Sequence, residues 1–172
     1  AANSASLAEP LPSAQCQYSV SFIGTAYGNR FKWVSALEER GIKVECFGHG
    51  WERGAVAAEE IPKIMRNSFI SLNFCGSGIV MNGIVPARGC QIKARVFEVP
   101  GAGGFLMTEY SEGLDRHYRI NEEIAVFDGI SDIEKKIKYF IENPEERDRL
   151  AMAGYLRTRG EHVYEMRFGK LF

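Results

Sequence analysis

Short apolar runs alternate with amphipathic segments along the chain from Tyr18 onward. Apolar runs bounded by glycine are typical of buried strands, whereas apolar positions spaced by three and four are typical of helices with one buried side. We therefore predict an α/β fold, a Rossmann-like parallel sheet flanked by helices. The predicted strands are residues 18–23, 43–47, 69–74, 105–108 and 123–127.

Helices are predicted between these strands and after the last one. Their spans are residues 29–40, 59–65, 91–99, 131–142 and 144–159. Ser131 with Glu134, and Asn143 with Glu146, have the spacing of a capping box, in which a side chain at the helix start binds a backbone amide. Residues 76–89 contain glycine and asparagine and are predicted to form a loop.

The length of 172 residues fits one domain with one core. Residues 1–15, rich in alanine, serine and proline, are predicted to be a flexible tail or linker, and residues 16–172 a single Rossmann-like domain. Residues 1–15 lack a basic region followed by an apolar run, so they are not predicted to be a signal peptide. Residues 67–87 carry no charge, but their polar groups and helix breakers argue against a membrane span.

Charge and cysteine usage narrow the class of protein. Lys and Arg number 21 and Asp and Glu 22, a net charge of −1, so no basic field for gripping nucleic acid is present. The four cysteines are widely spaced, without a Cys-x-x-Cys pair. Reduced thiols in a cytoplasmic protein are favoured over disulfides.

Three loops are candidates for ligand binding, because a parallel sheet binds ligands at the carboxyl ends of its strands. In one of them, Gly48, Gly50 and Gly54 nearly match the GxGxxG dinucleotide-binding pattern but have one residue too many, which is a weak signal. The loop that includes Gly24 and Thr25, followed by Arg30, offers backbone amides and a cation to a phosphate, although an ordinary tight turn is about as well supported. Lys93, Arg95 and Glu98 could bind a diphosphate and a ribose. By spacing alone, a surface ion pair of Arg95 with Glu98 is the better supported interpretation.

Other catalytic patterns are missing from the sequence. The three histidines lack the spacing of zinc ligands, and no Asp-x-Asp pair or phosphate-binding P-loop motif occurs. We therefore predict nucleotide or phosphate binding without a metal ion or other cofactor.

Several ordered motifs resemble the CgeB-type, spore-maturation glycosyltransferase-like family. The central one is QIKARVFEVP at residues 91–100, followed by GGFLMTE at residues 103–109. NEEIAVF, NPEER, AxAG and HxYxxR follow in the same order as in the family. The resemblance extends from about Tyr18 to Phe172.

That family is similar to group 1 glycosyltransferases of the GT-B type, and the chain resembles their C-terminal, donor-binding lobe. The resemblance implies binding of a nucleotide-diphosphate sugar, UDP- or GDP-linked, and metal-independent glycosyl transfer. It implies that Glu98 accepts the ribose hydroxyls and that Lys93 and Arg95 lie near the diphosphate. It further implies donor-site roles for Gly24, Thr25 and Arg30 over the phosphates and for Gly103 and Gly104 beside the donor. Catalytic residues are not identified.

The chain departs from the group 1 pattern at one position. These enzymes often carry two glutamates separated by seven residues, and Cys90 stands where the first would be. A separate or missing N-terminal acceptor-binding lobe is the expected partner. The alternatives are a noncatalytic nucleotide- or sugar-phosphate-binding module and a domain that serves assembly alone.

Overall fold

The structure is a computed structural model that describes residues 1–82 and 85–169. Its main sheet has five parallel strands in the order β2-β1-β3-β6-β7. Those strands are β1 (Tyr18–Ile23), β2 (Glu45–Phe47), β3 (Ser68–Asn73), β6 (Leu106–Glu109) and β7 (Ala125–Phe127). The predicted α/β fold with a parallel sheet is confirmed.

Helices cover both faces of the sheet. They are α1 (Arg30–Glu38), α2 (Glu60–Arg66), α3 (Arg95–Gly101), α4 (Ile130–Glu142), α5 (Pro144–Glu161) and α6 (Tyr164–Phe168). Three short 3-10 helices lie at Ser4–Ser6, Ser13–Gln15 and Leu114–Arg116. None of the helices in the described part of the chain is long and apolar enough to cross a bilayer.

Successive side chains along a strand point to opposite faces of the sheet, so each strand contributes to two hydrophobic cores, one on each face. Met107 packs with Val34 of α1 and Ile133 of α4 on one face, whereas its neighbour Leu106 packs with Met65 of α2 and Val96 of α3 on the other. Burial on both faces is typical of parallel sheets and explains why these strands are nearly continuous apolar runs.

Residues 76–89, predicted to be a loop, contain an antiparallel hairpin instead. Its strands are β4 (Gly76–Asn82) and β5 (Val85–Cys90), paired with each other but not with the main sheet. Residues 83 and 84 of the predicted loop lie outside the described residues. Glycine, asparagine and proline lower strand propensity, so the sequence pattern did not predict these two strands, which are close in sequence and pair with each other.

The helix starts at α4 and α5 are close to the predicted positions, but the predicted capping boxes are wrong. Neither Gly129, which precedes α4, nor Asn143, which precedes α5, makes a side-chain cap. Glu146 instead binds Arg149 at 2.7 Å. A charged partner one turn away competes for the carboxylate that the capping box requires.

Residues 1–15, predicted to be a flexible tail or linker, lie against the folded domain. Ala2 is 2% exposed, and its amide donates to the carbonyl oxygen of His162 at 2.7 Å. The amide of Ala8 donates to the carbonyl oxygen of Gly101 at 3.1 Å, and that of Ser13 to Asp148 at 3.0 Å. The composition suggests a mobile segment, but the backbone amides of this segment are hydrogen-bonded to α3, to α5 and to the residue that follows α5.

Candidate functional site

Two loops interlock at the carboxyl ends of β1 and β2. The amide of Gly24 donates to the carbonyl oxygen of Phe47 at 2.8 Å, and the indole of Trp51 donates to the carbonyl oxygen of Gly24 at 2.7 Å. Gly48 has a φ of +126°, and a Cβ there would lie 2.5 Å from the Gly24 oxygen. Only glycine allows the two loops to approach so closely.

The Gly24 loop differs in one respect from the predicted phosphate loop. The amide of Gly24 is used inside the protein, as is that of Ala26, which donates to the carbonyl oxygen of His49 at 2.8 Å. The sequence suggested that the backbone amides of this loop could bind a phosphate, but these two amides are already bonded inside the protein. The absence of a side chain at Gly24 leaves room for its neighbours, because a Cβ there would lie 3.0 Å from Cζ of Phe22 and 3.3 Å from Nη1 of Arg30.

Arg30 opens α1 beneath this loop and is 8% exposed. Its Nη1 donates to the carbonyl oxygen of Thr25 at 2.8 Å, but its buried Nε has no hydrogen-bond partner among the described residues. Burial lowers the pKa of the guanidinium, Tyr27 and Glu109 oppose that shift, and Arg95 adds to it. A buried cation with a spare donor is well suited to bind an anion.

Lys93 approaches the same place from the segment before α3. Its Nζ lies 3.2 Å from the hydroxyl oxygen of Tyr27, and the guanidinium carbon of Arg30 lies 4.1 Å from the centre of the Tyr27 ring. The hydrogen bond from Lys93 lowers the pKa of the Tyr27 phenol. The structure thus brings Lys93 close to the loop that contains the predicted site residues Thr25 and Arg30, although Lys93 lies 66 residues beyond Tyr27 of that loop.

Arg95 and Glu98 form an ion pair on α3, as the spacing alone had suggested. Both line a groove of about 320 Å³ between α2 and α3, whose wall includes Ile61, Met65 and Tyr164. The Glu98 side chain is 34% exposed, so an incoming ligand can reach it. The surface-pair interpretation and the binding interpretation are compatible, because a ligand hydroxyl can bind the remaining lone pairs of the carboxylate.

Helix α3 begins at Arg95, four residues later than predicted, and includes Pro100 in its last turn. Lys93 therefore lies in the approach to the helix rather than inside it. This position allows its side chain to reach Tyr27, while Arg95 and Glu98 occupy the first turn.

Gly103 and Gly104 were expected beside the donor, but they lie just before β6, at the amino edge of the sheet. Gly103 has a φ of +80°, and a Cβ there would lie 2.5 Å from the carbonyl oxygen of Ala8. A Cβ at Gly104 would lie 2.6 Å from the carbonyl oxygen of Met65. Close packing requires both glycines, as predicted, but they pack against residues 8–9 and α2, opposite the carboxyl edge.

Cys90 and Cys75 form a disulfide, which corrects the expectation of reduced thiols for this pair. The bond joins the end of β5 to the residue after Phe74, beside the carboxyl end of β3. Cys16 and Cys46 are free, and burial raises the pKa of the Cys46 thiol to about 12. The position that the resemblance assigns to the first group 1 glutamate therefore holds a disulfide-bonded cysteine.

The sequence-based interpretation missed Tyr27. An aromatic residue three positions before Arg30, in a loop of otherwise small residues, was the available signal. Within the described ranges, no three His, Cys, Asp or Glu side chains converge as a metal-ion site. His117 and His162 do approach each other, but their partner is a cation, Arg167.

Comparison with known proteins places the architecture in context. A family model described as "Glycosyl transferase-like" matches residues 30–172. A sequence comparison with curated proteins gives no match.

Solved structures similar to this chain have the same lobe architecture. Sucrose-phosphate synthase from Thermosynechococcus elongatus aligns with a TM-score of 0.71 at 11% identity over 98% of this chain and 49% of that one. The C-terminal domain of a group 1 glycosyl transferase (LpcC) from Francisella tularensis aligns at 0.62 and 11% identity, over 95% of this chain and 100% of that domain. Anabaena HepE in complex with UDP gives 0.62 at 12% identity, over 96% and 46%. The chain thus spans about half the length of sucrose-phosphate synthase and of HepE.

Proposed function

Since this chain belongs to the glycosyl transferase-like family, we propose that it is the donor-binding lobe of a GT-B transferase and holds a nucleoside diphosphate sugar. The match to an isolated C-terminal lobe over its whole length supports this assignment. That Anabaena HepE was solved with UDP supports a uridine nucleotide as the first ligand to test.

One observation carries the proposal: the buried guanidinium of Arg30 lies next to Lys93 and Tyr27, and its Nε has no hydrogen-bond partner among residues 1–82 and 85–169. A buried positive charge is costly unless its donors are satisfied. A diphosphate supplies the acceptors and the negative charge that Arg30 lacks. We place the diphosphate here, at the carboxyl end of β1, and the ribose at Glu98.

The same residues account for the leaving group of glycosyl transfer. Negative charge grows on the departing diphosphate while the sugar becomes oxocarbenium-like. Arg30, Lys93 and Arg95 would stabilise that charge, most effectively when a second lobe excludes water from the cleft. In this proposal a metal ion is not needed for donor binding, and the affinity for UDP in Mg²⁺ and in EDTA should be the same.

The test is calorimetric titration of the chain with UDP, GDP and uridine. Arg30→Met should weaken UDP binding at least about 30-fold, since the loss of a buried charge-assisted contact exceeds about 2 kcal/mol. The matched control is Arg40→Met: Arg40 follows α1 at the far end of the same helix and pairs with Glu134. Equal UDP affinity in Arg30→Met and Arg40→Met would remove the diphosphate from this site.

A noncatalytic nucleotide- or sugar-phosphate-binding module is the second candidate. It is favoured by Cys90, because the Cys75–Cys90 disulfide occupies the position of a group 1 glutamate. Hydrolysis or transfer of a UDP-sugar, assayed with and without a separate acceptor lobe, distinguishes the two. Binding without turnover under both conditions supports the noncatalytic module.

A further inference from the structure

Tyr27 lies between two cations that come from different parts of the chain. Its hydroxyl oxygen is 3.2 Å from Nζ of Lys93, and its ring is covered by the guanidinium of Arg30, 4.1 Å from the ring centre. The Lys93 ammonium is 5.7 Å from the same centre. The side chain is still 44% exposed, so a ligand can reach it.

The protonation states fix the direction of the hydrogen bond. A lysine ammonium has donors and no acceptor, so Nζ of Lys93 donates and the phenol oxygen of Tyr27 accepts. The phenolic O–H of Tyr27 is then available to donate to a third group. Lys93 and Arg30 also lower the pKa of this phenol, the hydrogen bond from Lys93 having the largest effect. A more acidic phenol is a stronger hydrogen-bond donor.

A phosphate oxygen is the acceptor that this arrangement matches. An oxygen within reach of Lys93 and Arg30 would have its charge neutralised by both cations and would be within reach of the Tyr27 O–H as well. The chemistry requires an anion with several acceptor oxygens, which a nucleoside lacks and a nucleoside diphosphate has.

We propose that Tyr27 is a further donor-binding residue, which holds Lys93 in place and donates its phenolic hydrogen to the diphosphate. This inference rests on the proposed function, because it takes the diphosphate as the ligand. It adds a residue that selects for phosphate, in contrast to Glu98, which would bind the ribose. Tyr27 also joins the loop after β1 to the segment before α3.

The test uses Tyr27→Phe, which removes the hydroxyl and keeps the ring against Arg30. The affinity for UDP should fall roughly tenfold, as expected for one hydrogen bond to a charged group, while the affinity for uridine stays unchanged. Tyr139→Phe is the matched control, because Tyr139 is 50% exposed on α4. That variant should bind both ligands as the wild type does.

A spectroscopic titration adds a readout that a packing role would not change. The difference between the tyrosinate absorbance of the wild type and of Tyr27→Phe isolates the Tyr27 phenol. It should ionise at lower pH than an ordinary tyrosine, and UDP should shift that ionisation to higher pH, because the diphosphate neutralises Lys93 and Arg30.

The outcomes separate the two proposals. If the wild type binds UDP and Tyr27→Phe binds it equally well, Tyr27 is not a donor-binding residue and the proposed function stands. An equal loss of UDP and uridine binding in Tyr27→Phe, or a tyrosinate titration that UDP does not move, also overturns the role of Tyr27. A wild type that binds neither UDP nor GDP overturns both proposals.

Discussion

Two buried arginines of this chain, Arg30 at the carboxyl edge of the sheet and Arg147 at the amino edge, use their donors differently. Arg147 is 0% exposed, and it donates to the carbonyl oxygens of Phe69 at 2.7 Å, Ser68 at 2.9 Å and Leu11 at 3.1 Å. It also pairs with Asp148 at 3.0 Å. Arg30 is 8% exposed, and its Nε has no acceptor in the part of the chain that the structure describes.

The difference separates a charge whose donors are all used by the fold from a charge whose donors the proposed function assigns to a ligand. Each nitrogen of the Arg147 guanidinium has an acceptor inside the protein, and its bonds link α5, β3 and the segment around Leu11. Arg30 instead lies where loops and a lysine from another segment converge. Burial alone does not distinguish the two roles, whereas the balance of donors and acceptors does.

The largest expected effect is on stability at the amino edge. Arg147→Met should lower the free energy of unfolding by about 3 kcal/mol, since it leaves buried carbonyls without a donor. The fraction that still folds should bind UDP with wild-type affinity. Urea denaturation measures the free energy of unfolding, and calorimetry measures the affinity for UDP. The comparison variant is Arg30→Met, which should lose UDP affinity but should lose less stability than Arg147→Met. Similar stability losses in both variants would contradict the contrast between the two arginines.

A smaller effect on binding is expected at Glu98. This prediction distinguishes the proposed ribose contact at Glu98 from the proposed diphosphate contact at Arg30. Glu98→Ala should weaken both UDP and uridine roughly tenfold, because it removes the acceptor of the ribose hydroxyls. The fold should be retained, since the Glu98 side chain is partly exposed. Glu134→Ala on α4 is the control, because that carboxylate also pairs with an arginine, Arg40. Unchanged uridine affinity in Glu98→Ala would remove the ribose from this carboxylate.

The smallest expected effect is a pH dependence of the stability of the fold, which arises from two histidines that pack against Phe97 of α3. His162 is 5% exposed; its Nε2 lies 2.7 Å from the carbonyl oxygen of His117, and its Nδ1 is 3.4 Å from Nη2 of Arg167. Burial, followed by the charges of Arg167 and Arg157, lowers the pKa of His162, although its bond to His117 opposes the shift. Burial and Arg167 also lower the pKa of His117.

A histidine with a lowered pKa in the folded state stabilises the fold above its ordinary pKa of about 6.5, and that stability is lost as the pH falls through the lowered value. The melting temperature should therefore fall by roughly 2–4 °C as the pH drops from 7 to 5.5, and His162→Gln should reduce this dependence. His49→Gln is the control, because His49 is exposed. An unchanged slope in His162→Gln would show that His162 does not titrate with folding.

Much of the fold was predictable from the order of apolar runs. All five strands of the main sheet lie within two residues of their predicted bounds, since burial on both faces requires continuous apolar sequence. The β4–β5 hairpin was not predictable, because its glycine, asparagine and proline residues lower strand propensity and its two strands pair only with each other. Neither capping box formed, because α4 begins at Ile130, before Ser131, and at α5 the Asn143 side-chain amide donates to the carbonyl oxygen of Tyr139.

The sequence by itself determined the parallel architecture and that Arg30, Lys93, Arg95 and Glu98 belong to segments at the carboxyl edge. The tertiary structure alone decided which donors remain unused. The acceptors of Arg147 lie 78 and 79 residues away in the chain, so nothing local distinguishes this arginine from Arg30. The local sequence pattern determines which helix or strand carries a side chain. Its hydrogen-bond partners, however, can be backbone groups distant in the sequence, and only the tertiary fold brings those groups close.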